Sequence, residues 1–472
     1  MEILHVSAEC YPMAKAGGLA DVVGSLPKYQ QQLGHVAKVV MPMHRTKFLY
    51  NNDWEVVHKG NFAMGQANFD FTIIKETGNK LGFDLYCVDI HGLLDREKIY
   101  GYDDDTERFI AFQISVTEWL SKWEHHPDVV HVHDHHAALI PFMMQQCFVY
   151  RHLSRIPTTL TIHNAQYQGW MGWDKINYIP AWDTWKWGLL DWDNMINPLA
   201  CGIKCADKVS TVSPGYMTEL MSAANGLEPL FNYEKGKCSG ILNGIDYAVW
   251  DPEMDTYILD NFSIEDFNKG KELNKKKLCD DFGFELKYPL FVFIGRLVNE
   301  KAADLLPEAI TTAFEQIKAK FNFLVLGSGE TYVEQALEEI KEHWFGYYNS
   351  QIGYNEKLSH QMYAGADFIL MPSRVEPCGL NQMYAMRYGT VPVVRSIGGL
   401  KDTVIDYGDE GGYGIRFNNA SVKDIVYSIN RGIELYANTK KLAEVRKRMM
   451  LINNSWESSA EKYIDLYKSI YK

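Results

Sequence analysis

Ile3-Leu-His-Val-Ser-Ala8 is followed, after a short connection, by Lys15-Ala-Gly-Gly-Leu19, a helix-like run to about Leu33, Gly34, and then Val36-Ala-Lys-Val-Val-Met41. Short runs rich in Val, Ile and Leu predict buried strands, and the longer amphipathic stretch between them predicts a helix. Gly17 and Gly18 suit the strand-to-helix turn, and Gly34 suits the helix end. Strand, glycine turn, helix and returning strand make the opening unit of a parallel α/β sheet.

Further strands are predicted over 128–133, 158–163 and 208–212. The pattern is poorer over 220–260, where Asn243-Gly244 and Asp251-Pro252 mark turns. A second winding starts at Leu290–Ile294, which ends in Gly295-Arg296, and a helical stretch is expected over 303–320. Strands at Phe323–Leu326, Phe368–Met371 and Val391–Val394 continue it. Gly17-Gly-Leu-Ala-Asp-Val-Val23 and Gly398-Gly-Leu-Lys-Asp-Thr-Val404 share one pattern, one copy in each half. The reading is an α/β chain of two Rossmann-like domains, 1–245 and 246–455, facing a central cleft. The hinge is placed near 243–250, and the tail 456–472 is expected as a helix joining the first domain. Ligands are expected beyond the carboxyl ends of the strands.

Composition narrows the function. The 472 residues carry 47 Lys+Arg against 60 Asp+Glu, a net charge of −13, which argues against a dedicated nucleic-acid binder. No apolar run approaches the roughly 20 residues of a membrane-spanning helix, and the start lacks the form of a secretory or transit segment. The eight cysteines are dispersed with no CxxC pair, so neither a zinc site nor a disulfide framework is indicated. A cytoplasmic protein without metal or cofactor is expected, with no nucleic-acid or membrane partner.

The chemistry-bearing stretches lie at predicted strand ends. Backbone N–H groups of the Lys15-Ala-Gly-Gly-Leu19 turn could approach a diphosphate at a helix start, with Lys15 adding charge; a plain turn is the alternative. Arg296 and Lys301 follow a buried strand and suit a diphosphate leaving group, or else form surface pairs with carboxylates such as Glu300. Pro372-Ser-Arg-Val-Glu376-Pro-Cys378-Gly-Leu-Asn381 is a polar strand-end loop before a helix. Gly327-Ser-Gly329 fails to complete GxGxxG because Tyr332 takes the last glycine's place, which disfavours nicotinamide binding.

Taken in order, Lys15-Ala-Gly-Gly-Leu, His133-Asp134, Thr161-Ile-His163-Asn164, Leu242-Asn243-Gly244-Ile-Asp246, Gly295-Arg296-Leu, Glu376-Pro-Cys378-Gly-Leu and Gly398-Gly-Leu resemble the bacterial glycogen synthase and plant starch synthase family, retaining glucosyltransferases of the GT-B fold (glycosyltransferase family 5). The resemblance spans nearly the whole chain. It implies transfer of glucose from a nucleotide-glucose to the non-reducing end of an α-1,4-glucan such as glycogen, with the anomeric configuration kept. It also implies a site. Lys15, Gly17 and Gly18 meet the donor phosphates, as do Arg296 and Lys301. Glu376 and Cys378 lie beside the donor glucose, with backbone donors from Gly379 and Leu380. Asp134 and His163 line the sugar pocket, Tyr354 lies against the nucleobase, and Asn243 is near the sugar. The catalytic set so implied is Glu376, His163, Asp134, Arg296 and Lys301, with no metal. ADP-glucose is the expected donor and UDP-glucose the alternative, and a domain closure on donor binding is expected.

Four positions depart from the family pattern: Ala16, His135 in place of a common Trp, Ala302 in place of a frequent Gly, and Tyr384 eight residues after Glu376. Many related retaining transferases carry a second glutamate at that last place, so Tyr384 favours the synthases over a GT-B enzyme with a lipid or small acceptor. A silent glucan-binding scaffold is disfavoured by the presence of the whole charged set. Six tryptophans fall between Tyr167 and Trp192; most are expected in packing, with one or two offered to glucan. Asp103-Asp104-Asp105 is expected as a solvated loop.

Overall fold

The computed structural model describes residues 1–318 and 320–471. Ala319, inside the helical stretch expected over 303–320, and Lys472, the end of the expected tail helix, lie outside the described residues. The chain forms two compact units, Met1–Asn243 with Trp456–Lys472, and Gly244–Ser455.

The first unit is built on strands β1 (Glu2–Val6), β2 (Val36–Pro42), β3 (Trp54–Met64), β4 (Ala67–Glu76), β5 (Asp84–Asp89), β6 (Val129–His133) and β7 (Thr158–Ile162). A small ribbon, β8 (Asp191–Trp192) with β9 (Met195–Ile196), stands apart, and β10 (Lys208–Thr211) and β11 (Cys238–Gly240) complete the main sheet. Its order is β11-β10-β7-β6-β1-β2-β5-β4-β3, parallel except for β4, which pairs antiparallel with both β5 and β3. Strands β6 and β7 are buried at every position, as a sheet covered on both faces requires. The helix Gly18–Gln32 and the tail helix Trp456–Lys468 meet on one face, where Ile3, Val22, Leu26, Val129, Trp456 and Tyr467 close a core. From β1 the chain winds outward to β2 and β5, then returns to β6 on the other side of β1. The strand ends of β1 and β6 therefore flank the topological switch point, where such sheets bind ligands.

The second unit repeats the device with β12 (Leu290–Ile294), β13 (Asn322–Gly327), β14 (Tyr348–Ile352), β15 (Phe368–Met371), β16 (Val391–Arg395) and β17 (Ile415–Phe417). All pair in parallel, in the order β14-β13-β12-β15-β16-β17, so the switch point lies between β12 and β15. Asp367, just before β15, is buried; it pairs with Lys275 and Arg446 at 2.7 Å each and accepts the Leu290 N–H at 2.8 Å. One carboxylate thus ties two helices to the start of the central strands.

Two expectations change. The stretch 303–320 begins as a 3₁₀ turn, Ala303–Leu305, and the α-helix runs only Leu306–Gln316, because Pro307 is admitted in the first turn but not further in. Asp103-Asp104-Asp105 is a solvated loop only in part: Asp103 is exposed in a turn, but Asp105 opens the helix Asp105–Ser121, with Asp104 held by Arg96 at 2.6 Å and Asp105 by the buried Arg108. The β3–β4 hairpin has no counterpart among the predicted strands.

Candidate active site

In the first unit, Glu9 organises the first glycine turn. Its buried carboxylate accepts the N–H groups of Ala16 at 2.6 Å and Gly17 at 3.0 Å, and the Tyr100 hydroxyl at 2.6 Å. The Gly17 N–H is therefore already engaged within the protein. Gly18 opens the helix, where an N–H has no carbonyl of its own turn to bond. A Cβ placed on Gly17 or Gly18 meets nothing within 4 Å, so the space over the turn is open to a ligand. Lys15 is half-exposed and pairs with Asp21 at 2.7 Å. Neither Glu9 nor Tyr100 was singled out from the sequence; the only signal was an acid directly after a buried strand.

Beyond β6, Asp134 takes a left-handed backbone (φ 54°), a strained conformation for a residue other than glycine. Its carboxylate accepts the His163 N–H at 2.7 Å, and its own N–H bonds Thr161 O at 3.0 Å, which joins the ends of β6 and β7. Burial pushes the Asp134 carboxyl up to about 7, and the nearby Glu9 adds to the rise. Burial pushes the His163 imidazole down to about 3, so the ring is neutral near pH 7. Asn243 is also buried, and its Oδ1 has no partner among the described residues. A buried acceptor left open in this way fits a ligand hydroxyl.

In the second unit, Arg296 and Lys301 follow β12 and Glu376 follows β15, so all three flank the switch point. Lys301 Nζ lies 2.6 Å from Glu376 Oε2, which also accepts the Ser373 hydroxyl at 2.8 Å; the glutamate is 7 % exposed. Arg296 is largely exposed and rests on Glu300 at 3.4 Å. Arg374 holds the Glu376 loop to the Lys301 loop through Asp304 (2.8 Å to Oδ2) and the Asn299 carbonyl. Gly398 and Gly399 have a different role from their counterparts in the first unit. Cβ atoms there would stand 2.0 Å from the Glu376 carbonyl and 2.1 Å from that of Cys378, so these glycines let the backbone pack directly under the Glu376–Gly379 loop. The shared G-G-L pattern thus marks an open turn in one unit and a packed turn in the other. Cys378 is buried, Gly379 takes φ 75°, and Leu380 caps the helix Asn381–Arg387. Tyr354 stands 86 % exposed beyond β14.

The four departures acquire physical content. Tyr384 stacks on Trp250 at 3.8 Å between ring centroids, and Trp250 stacks in turn on His360 at 3.9 Å, so position 384 serves an aromatic column. Ala302 adopts φ 54°, the conformation in which glycine is cheaper. His135, with Tyr100, His136, Tyr167 and Trp170, lines a pocket of about 240 Å³ within the first unit. Ala16 gives its N–H to Glu9. Among the six clustered tryptophans, Trp170, Trp185 and Trp187 are exposed, a larger share than expected, and Trp182 is buried.

Residues 2–233 match the starch synthase catalytic domain, and residues 274–449 match glycosyl transferases group 1. The glycogen synthase of Flavobacterium johnsoniae is 52 % identical over 470 residues, which cover 100 % of this chain and 99 % of that protein. The chain belongs to the glycogen and starch synthase family. A second glycogen synthase, from a Hydrogenobaculum species, is 36 % identical over 490 residues, covering 99 % of this chain and 98 % of its own. The catalytic domain of Starch Synthase IV from Arabidopsis thaliana, bound to ADP and acarbose, superposes with a TM-score of 0.88 at 29 % identity, covering 100 % of this chain and 99 % of that one. Sucrose-phosphate synthase from Thermosynechococcus elongatus, at 15 % identity and a TM-score of 0.63, shares the fold. This synthase-family chain has the GT-B fold, with two Rossmann-like parallel sheets.

Proposed function

We propose that the protein transfers glucose from ADP-glucose to the non-reducing end of an α-1,4-glucan, with retention at the anomeric carbon and release of ADP, in the cytoplasm. The observation that carries this reading is the end-to-end likeness to glycogen synthases, together with the ADP and acarbose on the matching Starch Synthase IV domain. In support of a cytoplasmic setting, all eight cysteines are free and no described helix is long and apolar enough to cross a membrane.

On this reading, Arg296 and Lys301 of the second unit bind the diphosphate and Tyr354 stacks on the adenine. Glu376 and Cys378 lie beside the glucose, with N–H groups of Gly379 and Leu380 as donors. In the first unit Lys15 and the Gly17-Gly18 turn serve the phosphates, while Asp134, His163 and Asn243 serve the sugar. Breaking the glycosyl–phosphate bond puts positive charge on the sugar and negative charge on the leaving diphosphate. Cations fixed in place stabilise that charge without the reorganisation that water would need. Lys301 is so fixed, because the Glu376 carboxylate holds its ammonium at 2.6 Å. Glu376 stabilises the developing positive charge or orients the sugar. Departure and attack on the same face, with the leaving phosphate taking the acceptor's proton, give retention.

The test is nucleotide release from ADP-glucose and from UDP-glucose, each with and without glycogen. Glycogen-dependent ADP release is expected. Preference for UDP-glucose would overturn the donor assignment, and release from neither by folded protein would overturn the function.

A further inference from the structure

One face of the first unit's sheet carries a continuous row of buried polar groups. Gln30, on the helix Gly18–Gln32, stands at one end, and its Oε1 accepts from His5 Nε2 at 2.8 Å. His5 Nδ1 lies 3.1 Å from His133 Nε2, and His133 Nδ1 lies 3.0 Å from His163 Nε2. Gln30, His5 and His133 are fully buried.

A neutral imidazole has one donor and one acceptor nitrogen, so the direction of the first bond sets all the others. The Gln30 oxygen can only accept, so His5 Nε2 carries a hydrogen and His5 Nδ1 does not. His133 then donates from Nε2 and accepts at Nδ1, which requires the hydrogen of His163 on Nε2. His163 Nδ1 is left bare and without a partner among the described residues. The other end of the Gln30 amide opens a branch. Its Nε2 donates to the Tyr467 hydroxyl at 3.1 Å, and that hydroxyl donates to His131 Nδ1 at 2.7 Å. His131 Nε2 donates to Thr161 Oγ1 at 2.6 Å, and Thr161 donates to Ser210 Oγ, also at 2.6 Å. With the Gln30 oxygen toward His5 these bonds run in one consistent sense, and burial keeps all four rings neutral.

We propose that Gln30, His5 and His133 are positioning residues that hold His163 in its Nε2–H tautomer, so that Nδ1 meets the donor sugar as a hydrogen-bond acceptor. The last clause rests on His163 touching the sugar as set out above. Nitrogens of His5, His131 and His133 lie within 4.8 Å of one another, close enough to ligate a metal. A dication there would sit among neutral, fully buried groups with no carboxylate bonded to them, which low dielectric disfavours. It would also break the ordered chain.

The tautomer can be read in the ligand-free protein, so this result is independent of whether ADP-glucose is turned over. Protein with ¹⁵N-labelled histidine rings is compared with its His163→Gln variant to assign the His163 signals. The expected result is a proton on Nε2 and none on Nδ1 in the wild type, and a mixture in Gln30→Met. Kinetically, Gln30→Met is expected to lower kcat/KM for the donor by about ten-fold, the worth of one hydrogen bond, with KM for glycogen unchanged. A proton on His163 Nδ1 in the wild type would overturn the proposal. So would stoichiometric zinc in the purified protein, or a folded Gln30→Met variant with wild-type tautomer and donor kinetics.

Discussion

Lys301 and Glu376 offer the sharpest separation of a structural from a catalytic role. Their contact is 2.6 Å, with side-chain exposures of 22 % and 8 %. At an effective dielectric of about 20 the gross attraction is roughly 6 kcal/mol, much of it offset by lost hydration. Lys301→Met leaves Glu376 buried with, among the described residues, the Ser373 hydroxyl as its remaining side-chain partner. Truncating one member of a buried pair typically costs about 3–5 kcal/mol. Lys301 is partly exposed and Ser373 remains, so about 2–3 kcal/mol is expected here. Glu376→Gln removes the charge that needed compensation and should cost about 1 kcal/mol. The double variant then has no orphaned charge and should also cost about 1 kcal/mol, a coupling of about 2 kcal/mol. Denaturant unfolding of the four proteins measures this. Transfer from ADP-glucose should fall at least 100-fold in all three variants, because each loses a charge fixed where the transition state needs it. Additive stabilities would refute the buried-pair reasoning. Activity restored in the double variant would refute the catalytic assignment and leave a purely structural pair.

The two glycine turns predict opposite outcomes. Gly18→Ala meets open space and should leave stability within about 1 kcal/mol while lowering kcat/KM for ADP-glucose more than ten-fold, whereas Gly399→Ala drives a methyl onto the Cys378 carbonyl and should destabilise by about 2 kcal/mol or more. Equal effects of the two on thermal unfolding would contradict this. Ala302→Gly relieves about 1–2 kcal/mol of left-handed strain but loses a buried methyl worth about 0.8 kcal/mol and frees the unfolded chain, so a net change under about 1 kcal/mol is expected; a loss above that, by urea unfolding, would show that the methyl packs better than it strains. In acid, His5 (about 4) and His163 (about 3), with His131 and His133 held well below their ordinary value by burial, stay neutral in the folded state while the unfolded chain protonates near 6.5. Each therefore removes about 1.4 kcal/mol per pH unit as pH falls from 6.5 toward those values. Asp134, raised to about 7, works the other way between 7 and its ordinary 3.8 and offsets about one of them. The buried Asp367 and Asp255, held low in the second unit, contribute stability that is lost only as pH falls below about 3.8. The first unit should unfold at higher pH than the second, read by fluorescence, since every tryptophan but Trp250 and Trp344 lies in the first unit; a single acid transition near pH 3 would contradict this.

What could be read in advance was what is local in the chain. Leu290–Ile294 and Phe368–Met371 are strands as expected, because a continuous apolar run bounded by turn residues carries its own signal. The first glycine turn was equally plain. The β3–β4 hairpin was not, because Trp54–Met64 is mostly solvent-facing and carries His58, Lys59 and Gly60 within it. Glu9, Tyr100 and the chain from Gln30 to His163 escaped for a different reason. Their roles arise only when sheet order sets residue 9 beside 100, and residue 5 beside 133, and sequence distance hides such neighbours. His133 was visible as part of a motif, but its bond to His163 was not. The repeated G-G-L pattern was visible twice, yet whether each copy is open or packed depends on what lies opposite.

The central claim is transfer to the non-reducing end with retention, and labelled glucose tests it most directly. Maltoheptaose is incubated with glucose-labelled ADP-glucose and the purified chain, and the product is digested with an exo-acting β-amylase. The account predicts that the label leaves first, as maltose, from an α-1,4 linkage. Label that resists the enzyme, or that is found as free glucose without any acceptor, would contradict it.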